Sequence, residues 1–140
     1  MIVLDTNVLS AMMRPELNPA VVTWLNAQNR FELRMTSVAL HELAFGLELL
    51  PLGKKRQDLK ARLDTLCRGP LGATVLVLDT DCGQRAAIAR AAAEKATGHC
   101  DLPDALIAGI ALENGASIAT RNIMDFRHFG VPLVDPWGGG

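Results

Sequence analysis

The chain has no tyrosine and only four phenylalanines and two tryptophans. So few aromatics argue against single-strand binding through stacked aromatic platforms. Neither charge is in surplus: 14 Lys and Arg face 15 Asp and Glu, a net charge of −1. No global basic field draws in a polyanion, so nucleic-acid binding would need a local patch. The three cysteines, Cys67, Cys82 and Cys100, are odd in number and widely spaced. Without a C-x-x-C pair a thiolate zinc site is disfavoured, and reduced thiols are expected. No apolar run approaches the ~18–20 residues needed to span a bilayer. The start shows no basic segment leading into a long apolar one. A soluble cytoplasmic protein with no membrane association is the expectation.

What is present is apolar substance in short pieces. Hydrophobic residues make up 49% of 140 residues, enough for one packed domain. We expect that domain to span residues 1–137, with Gly138-Gly139-Gly140 as a tail. Short apolar runs read as strands at Ile2–Leu4, Leu33–Met35, Thr74–Leu78, Ser117–Ala119 and Pro132–Val134. Between them the 3.6-residue spacing predicts helices. The first is capped by Thr6 or Asn7 and stopped near Met13 by Pro15; the second runs from Pro19 to Gln28. A third, opened by Thr36 or Ser37, carries Val38, Leu40, Leu43, Leu47 and Leu50. A fourth spans Lys54–Cys67 and ends at Gly69, Pro70 and Gly72. An Ala-rich helix capped by Thr80 or Asp81 runs to about Ala96 and closes at Gly98. Asp101 opens a helix to Asn114, and Ile123–Phe129 reads as a helical turn. This alternation predicts an α/β fold: a three-layer α/β/α sandwich with a short, mostly parallel sheet of four to five strands. Ligand sites in such folds lie beyond the carboxyl ends of the strands.

Several acids fall at such ends. Asp5 directly follows Leu4, either as a loop residue bonding its neighbours' amides or as a hard oxygen ligand for a divalent cation. Glu42 shares a helix stripe with the small Ala39 and Gly46, either solvated or reaching back over the sheet rim. His41 beside it reads as a surface residue or an accessory to the site. Asp101 reads as a helix cap, with Asp104 at the third helical position. Asp104 begins an apolar, small-residue helix that must be central, so its carboxylate points into the interior cleft. A buried charge needs a partner, and a metal is one. Asn122 and Asp125 follow the fourth predicted strand, as cap residues or as contacts to metal-bound water; Asp125 is also placed to pair with Arg121. Asp79 and Asp81 read as helix-dipole residues only. Lys54, Lys55, Arg56, Lys60, Arg62 and Arg68 form the densest basic run and read as a solvated helix face. Arg14, Arg121, Arg127 and His128 are placed nearer the acids, the arginines as RNA phosphate contacts.

Four segments in order, Ile2-Val3-Leu4-Asp5-Thr6-Asn7, Leu40-His41-Glu42-Leu43, Asp104-Ala105-Leu106-Ile107-Ala108 and Ala119-Thr120-Arg121-Asn122 with Asp125-Phe126, resemble a PIN domain. The resemblance is nearest to VapC-type, FitB-like ribonuclease toxins, and this chain's ending Val134-Asp135-Pro136-Trp137 is also similar to that subgroup. It covers nearly the whole chain. It implies Mg²⁺-dependent cleavage of RNA, with Mn²⁺ as a possible substitute. It carries metal-ligand and catalytic roles to Asp5, Asp104 and Glu42, with support from Thr6, Asn7 and Thr120. Where the family often has a fourth acid, this chain has Asn122. The resemblance also implies a cognate antitoxin protein as partner. The leucines around Leu40–Leu66 exceed what one chain obviously buries, so a homodimer or a higher assembly with antitoxin is expected. Two alternatives stand beside this reading: a PIN-like binding module that cleaves weakly or not at all, and a phosphatase of the haloacid-dehalogenase type. The latter wants a second Asp two residues after the first, where this chain has Asn7.

Overall fold

Four short strands, all parallel, line up in the order β2-β1-β3-β4. They are β1 (Ile2–Leu4), β2 (Leu33–Arg34), β3 (Ser117–Ala119) and β4 (Leu133–Val134). Among the described residues eight α-helices flank them: α1 (Thr6–Met13), α2 (Pro19–Asn26), α3 (Ser37–Glu48), α4 (Lys54–Arg68), α5 (Pro70–Ala73), α6 (Thr80–Thr97), α7 (Leu102–Glu113) and α8 (Ile123–Phe126). The computed structural model describes residues 1–138; positions 139 and 140 of the expected tail lie outside the described residues. Gly138 does not begin a tail. Its N–H donates to the Asp135 carbonyl at 3.1 Å, with φ +79°, closing a turn.

The chain passes from central β1 outward to β2, then crosses back to β3 on the other side. β1 and β3 therefore adjoin where the winding reverses, and the crevice of a parallel sheet opens at their carboxyl ends. Their register, Val3 with Ile118 and Leu4 with Ala119, brings both strand ends level. Val3, Leu4, Ile118 and Ala119 are fully buried, as strands covered on both faces require. Against them pack Val8, Leu9, Leu43, Leu47, Ile107 and Ile110 from α1, α3 and α7. Each large aliphatic side chain so buried contributes roughly 1.5–3 kcal/mol. The α6–α7 pair is closer than side chains usually allow. A Cβ on Gly109 would lie 2.5 Å from the Cys82 carbonyl and 2.6 Å from Ala86 Cβ, so only glycine fits there.

The predicted strand Thr74–Leu78 is reduced to a single bridge between Leu76 and Thr36. Leu76 N–H donates to Met35 O, and Leu76 O accepts from Ser37 N–H, each at 2.9 Å. The chain then turns into α3 at Ser37, so Val77 and Leu78 find no edge to pair with and are exposed. The Gly69-Pro70-Gly72 stretch, expected only to break a helix, winds one further turn as α5, because Pro70 suits a first helical position. Two caps sit one residue earlier than expected. Asp5 caps α1 and Asp79 caps α6, accepting from Thr6 N–H and Cys82 N–H, since each carboxylate lies in extended backbone just ahead of the helix. Thr36 and Asp101 cap α3 and α7 as expected, and Gly98 closes α6 at φ +77°. Most leucines of the 40–66 stretch are buried or half-buried within the chain itself; only Leu49 and Leu52, with Phe45, remain well exposed. The leucine surplus is thus mostly internal packing of α3 and α4. No helix is long and apolar enough to cross a membrane, among the described residues.

Candidate active site

Asp5 stands at the exit of β1, 2% exposed. Both of its oxygens are held. Thr6 N–H donates to Oδ1 at 2.6 Å and the Thr120 hydroxyl donates to Oδ2 at 2.8 Å. The Thr120 oxygen in turn accepts from Asn122 N–H at 3.0 Å. Backbone bonds fix the frame: Asp5 N–H donates to Ala119 O at 3.0 Å, and Thr120 N–H to Val134 O at 2.9 Å. A carboxylate buried this deeply resists ionising. Burial pushes the Asp5 carboxyl above its ordinary value; the Thr120 and Thr6 bonds oppose this, and the charges of Asp101 and Asp125 add to it.

Asp104 lies in the first turn of α7, half-buried. Its N–H donates to Asp101 Oδ1 at 3.1 Å, the cap bond expected from the sequence. Its carboxyl is pushed from 3.8 up to about 7, first by burial and then by the charges of Asp101, Asp5, Asp125 and Glu42. Elements distant in sequence thus bring four other acids within electrostatic reach of Asp104. Glu42, half-buried near the middle of α3, belongs to this set. Asp101 does too: read from sequence as a cap alone, it is also the largest charged influence on Asp104. Cap geometry explained it fully, so nothing in the sequence marked the second role.

Other expected residues are placed less favourably. Asn122 caps α8 without a side-chain bond and reaches the site only through its N–H. Asp125 is exposed and contributes charge; it forms no pair with Arg121 among the described residues. Arg121 lies instead over the Trp137 ring, 5.0 Å from its centroid. Asn7 is exposed and bonds neither acid. Thr6 contributes its N–H. Arg14 is not beside the acids: it ends α1, an eight-residue helix away from Asp5, or roughly 12 Å along the axis. It lines a separate groove with Lys54, Lys55 and Glu16. Arg127 turns onto its own surroundings, with Nε donating to His128 Nε2 at 3.1 Å. His41 faces outward and stacks on Phe45. In the basic run, Arg56 and Lys60 pair with Glu48, and Arg62 donates to Met13 O at 2.6 Å, as a solvated and self-satisfied face would.

The clustered donors are hard carboxylate oxygens with no thiolate or imidazole among them, which suits Mg²⁺ or Mn²⁺. Among the described residues, no three acids have closed to metal-ligand spacing. The Asp104 and Asp5 carboxyls are raised first by burial, and the charges of neighbouring acids add to it.

Residues 2–131 match the PIN domain. The chain belongs to the PIN-domain family. It is 35% identical over 137 residues to the plasmid stability protein StbB of Pseudomonas syringae pv. tomato, covering 98% of this chain and 99% of that one. It is 34% identical to the VapC ribonuclease Y4jK of Sinorhizobium fredii, covering 98% of each. It is 31% identical to toxin FitB of Neisseria gonorrhoeae, covering 98% of this chain and 99% of the other. The crystal structure of FitAcB from Neisseria gonorrhoeae has the same fold, with a TM-score of 0.88, 30% identity and 99% of both chains covered. Membership in the PIN family sets aside the phosphatase alternative.

Proposed function

We propose that this PIN protein is the ribonuclease toxin of a toxin–antitoxin pair, cleaving RNA in a Mg²⁺-dependent reaction. The observation that carries the reading is that Asp5 at the exit of β1 and Glu42 on α3 both press their charge on the half-buried Asp104 in the first turn of α7. Relatives named VapC ribonuclease and toxin FitB support it over almost the full chain.

Asp5, Asp104 and Glu42 are the residues that would hold the metal. A divalent cation bound there supplies charge neutralisation, a water of lowered pKa and stabilisation of the scissile phosphate. The chain's own groups do the rest. Thr120 and the Thr6 amide fix the Asp5 carboxylate in one orientation. Burial of Asp5 and Asp104 strengthens any electrostatic interaction made in the cleft. No serine or cysteine stands placed as a nucleophile, so hydrolysis by water leaves a 5′-phosphate and a 3′-hydroxyl. Arg121 follows Thr120, whose hydroxyl is bonded to Asp5, and is available for an RNA phosphate; Arg127 and Arg14 are further candidates. The fourth corner falls to Asn122 or to Asp125, whose charge acts on Asp104.

The partner is a cognate antitoxin encoded as a second protein, and the setting is the cytoplasm. The exposed Phe45 on α3, with Leu49 and Leu52 just beyond its end, forms the surface on which a second copy would close a homodimer.

The test incubates purified, antitoxin-free protein with structured RNAs in Mg²⁺, Mn²⁺ or EDTA. Cleavage is expected with either metal and is lost in EDTA and in folded Asp5→Asn and Asp104→Asn variants. Equal cleavage by those variants would sink the assignment. Absence of cleavage by the wild-type protein under all conditions, with antitoxin binding retained, would favour the non-catalytic binding module.

A further inference from the structure

We propose that Trp137 is a positioning residue whose ring holds the Arg121 guanidinium beside the acidic cleft, presented to the phosphate backbone of the RNA. The proposal rests on the ribonuclease reading above. Arg121 follows Thr120, whose buried hydroxyl donates to Asp5, so the root of the arginine is fixed to the site. Its guanidinium carbon lies over the Trp137 ring, 5.0 Å from the centroid. Among the described residues it has no ion pair, although the carboxylates that crowd Asp104 include Asp101 and the nearby Asp125.

That choice of partner has a chemical consequence. A cation beside an acidic cluster tends to fall onto a carboxylate, in a fork that occupies its in-plane N–H donors. Stacking over an aromatic ring uses the face of the guanidinium instead. The five N–H donors stay free in the plane where phosphate oxygens bind. Trp137 thereby keeps Arg121 off the acids and available to a polyanion.

The ring is itself held in place. Trp137 N–H donates to Asp135 Oδ1 at 2.8 Å, and Gly138 N–H donates to Asp135 O at 3.1 Å. Pro136 is buried, and the Trp137 side chain packs against the core. Adjacent strands deliver both partners: β3 pairs with β4 through Ala119 and Val134, Arg121 follows two residues after the first and Trp137 three after the second. The sheet register therefore sets the ring under the guanidinium. A chain with two tryptophans in all places one of them here.

The experiment measures steady-state cleavage of a short RNA in Mg²⁺ by five variants and wild type. Arg121→Ala is expected to raise KM about tenfold with kcat within about twofold, as loss of a phosphate contact remote from the reacting atoms should. Trp137→Leu keeps an apolar side chain without a π face and is expected to raise KM about three- to fivefold. Trp137→Phe recovers most of that loss, and Trp137→Ala, where it folds, behaves as Trp137→Leu. The Arg121→Ala/Trp137→Leu double variant matches Arg121→Ala alone, because the ring acts through the arginine. The slope of log KM against log salt falls by about one in Arg121→Ala. A folded Trp137→Leu with wild-type KM, a multiplicative double variant, or no recovery by Phe would each overturn the proposal while wild-type cleavage leaves the ribonuclease reading standing. Wild-type protein that cleaves no RNA removes both.

Discussion

Consider Asp104→Asn in protein stripped of metal. The carboxyl is held at about 7 in the folded chain against an ordinary 3.8. The sign follows from proton binding. Between 3.8 and about 7 the unfolded chain has released this proton while the folded chain keeps it, so stability falls as pH rises through that window and stays low above it. The full gap corresponds to at most about 4 kcal/mol. Asp104 is only half-buried, and solvent screening reduces the cost to roughly 1–2 kcal/mol. For a domain of this size that is a change of about 3–6 °C in Tm. Thermal melts in EDTA at pH 5.5 and pH 8 span the upper half of that window and read about half of this change. Wild type is expected to melt lower at pH 8; Asp104→Asn, which keeps the shape without the charge, is expected to melt higher than wild type at pH 8 and to lose most of the pH dependence. A residual slope of the same sign belongs to Asp5, whose carboxyl is raised for the same reason. Adding Mg²⁺ at pH 8 should raise the wild-type Tm and leave the variant unmoved. The reasoning is refuted if Asp104→Asn melts below wild type at pH 8, or if both proteins show the same pH profile.

Other predictions follow from single contacts. Thr120→Val removes the donor to Asp5 Oδ2 at nearly constant volume and leaves a buried oxygen unpaired; a loss of about 1–3 kcal/mol is expected by urea denaturation, with a fall in kcat of at least about tenfold. Gly109→Ala drives a methyl group into the Cys82 carbonyl and should separate α6 from α7; denaturant melts are expected to show roughly 2–3 kcal/mol of destabilisation, and an unchanged midpoint would count against the packing described. Asp101 does two things, so its variants should split. Asp101→Ala loses the α7 cap, at about 1 kcal/mol, whereas Asp101→Asn keeps the cap and relieves Asp104. NMR titration of the Asp104 carboxyl is expected to report a value below about 7 in Asp101→Asn, and no movement would refute the charge coupling.

Local chemistry made much of this legible before any coordinates. Alternating apolar runs and helical spacing determined the parallel α/β class, because strands buried on both faces must be short and apolar and helices must cover them. Asp101 as a cap, Gly98 as a left-handed terminus and Pro19 in a first turn are decisions made within a few residues. Asp5, Glu42 and Asp104 stood out because each is an acid where its surroundings are apolar or small. Pairing partners, by contrast, are set by the whole sheet. The TVLVL run has every local property of a strand, yet only Leu76 finds a neighbour, since β2 gives way to α3 at Ser37. Distances along helices are also tertiary facts: Arg14 looks close to Asp5 in sequence, and α1 carries it away. The same holds for roles shared between remote segments. Thr120 holding Asp5 across 115 positions, Asp101 pressing charge on Asp104 beyond its cap bond, and Trp137 lying beneath Arg121 all depend on the register of β1, β3 and β4. The sequence by itself determined what class of fold this is and which acids were candidates for the proposed site. Only the tertiary structure decided which of them meet, because hydrogen bonds and charge repulsion act over ångströms in space and not along the chain.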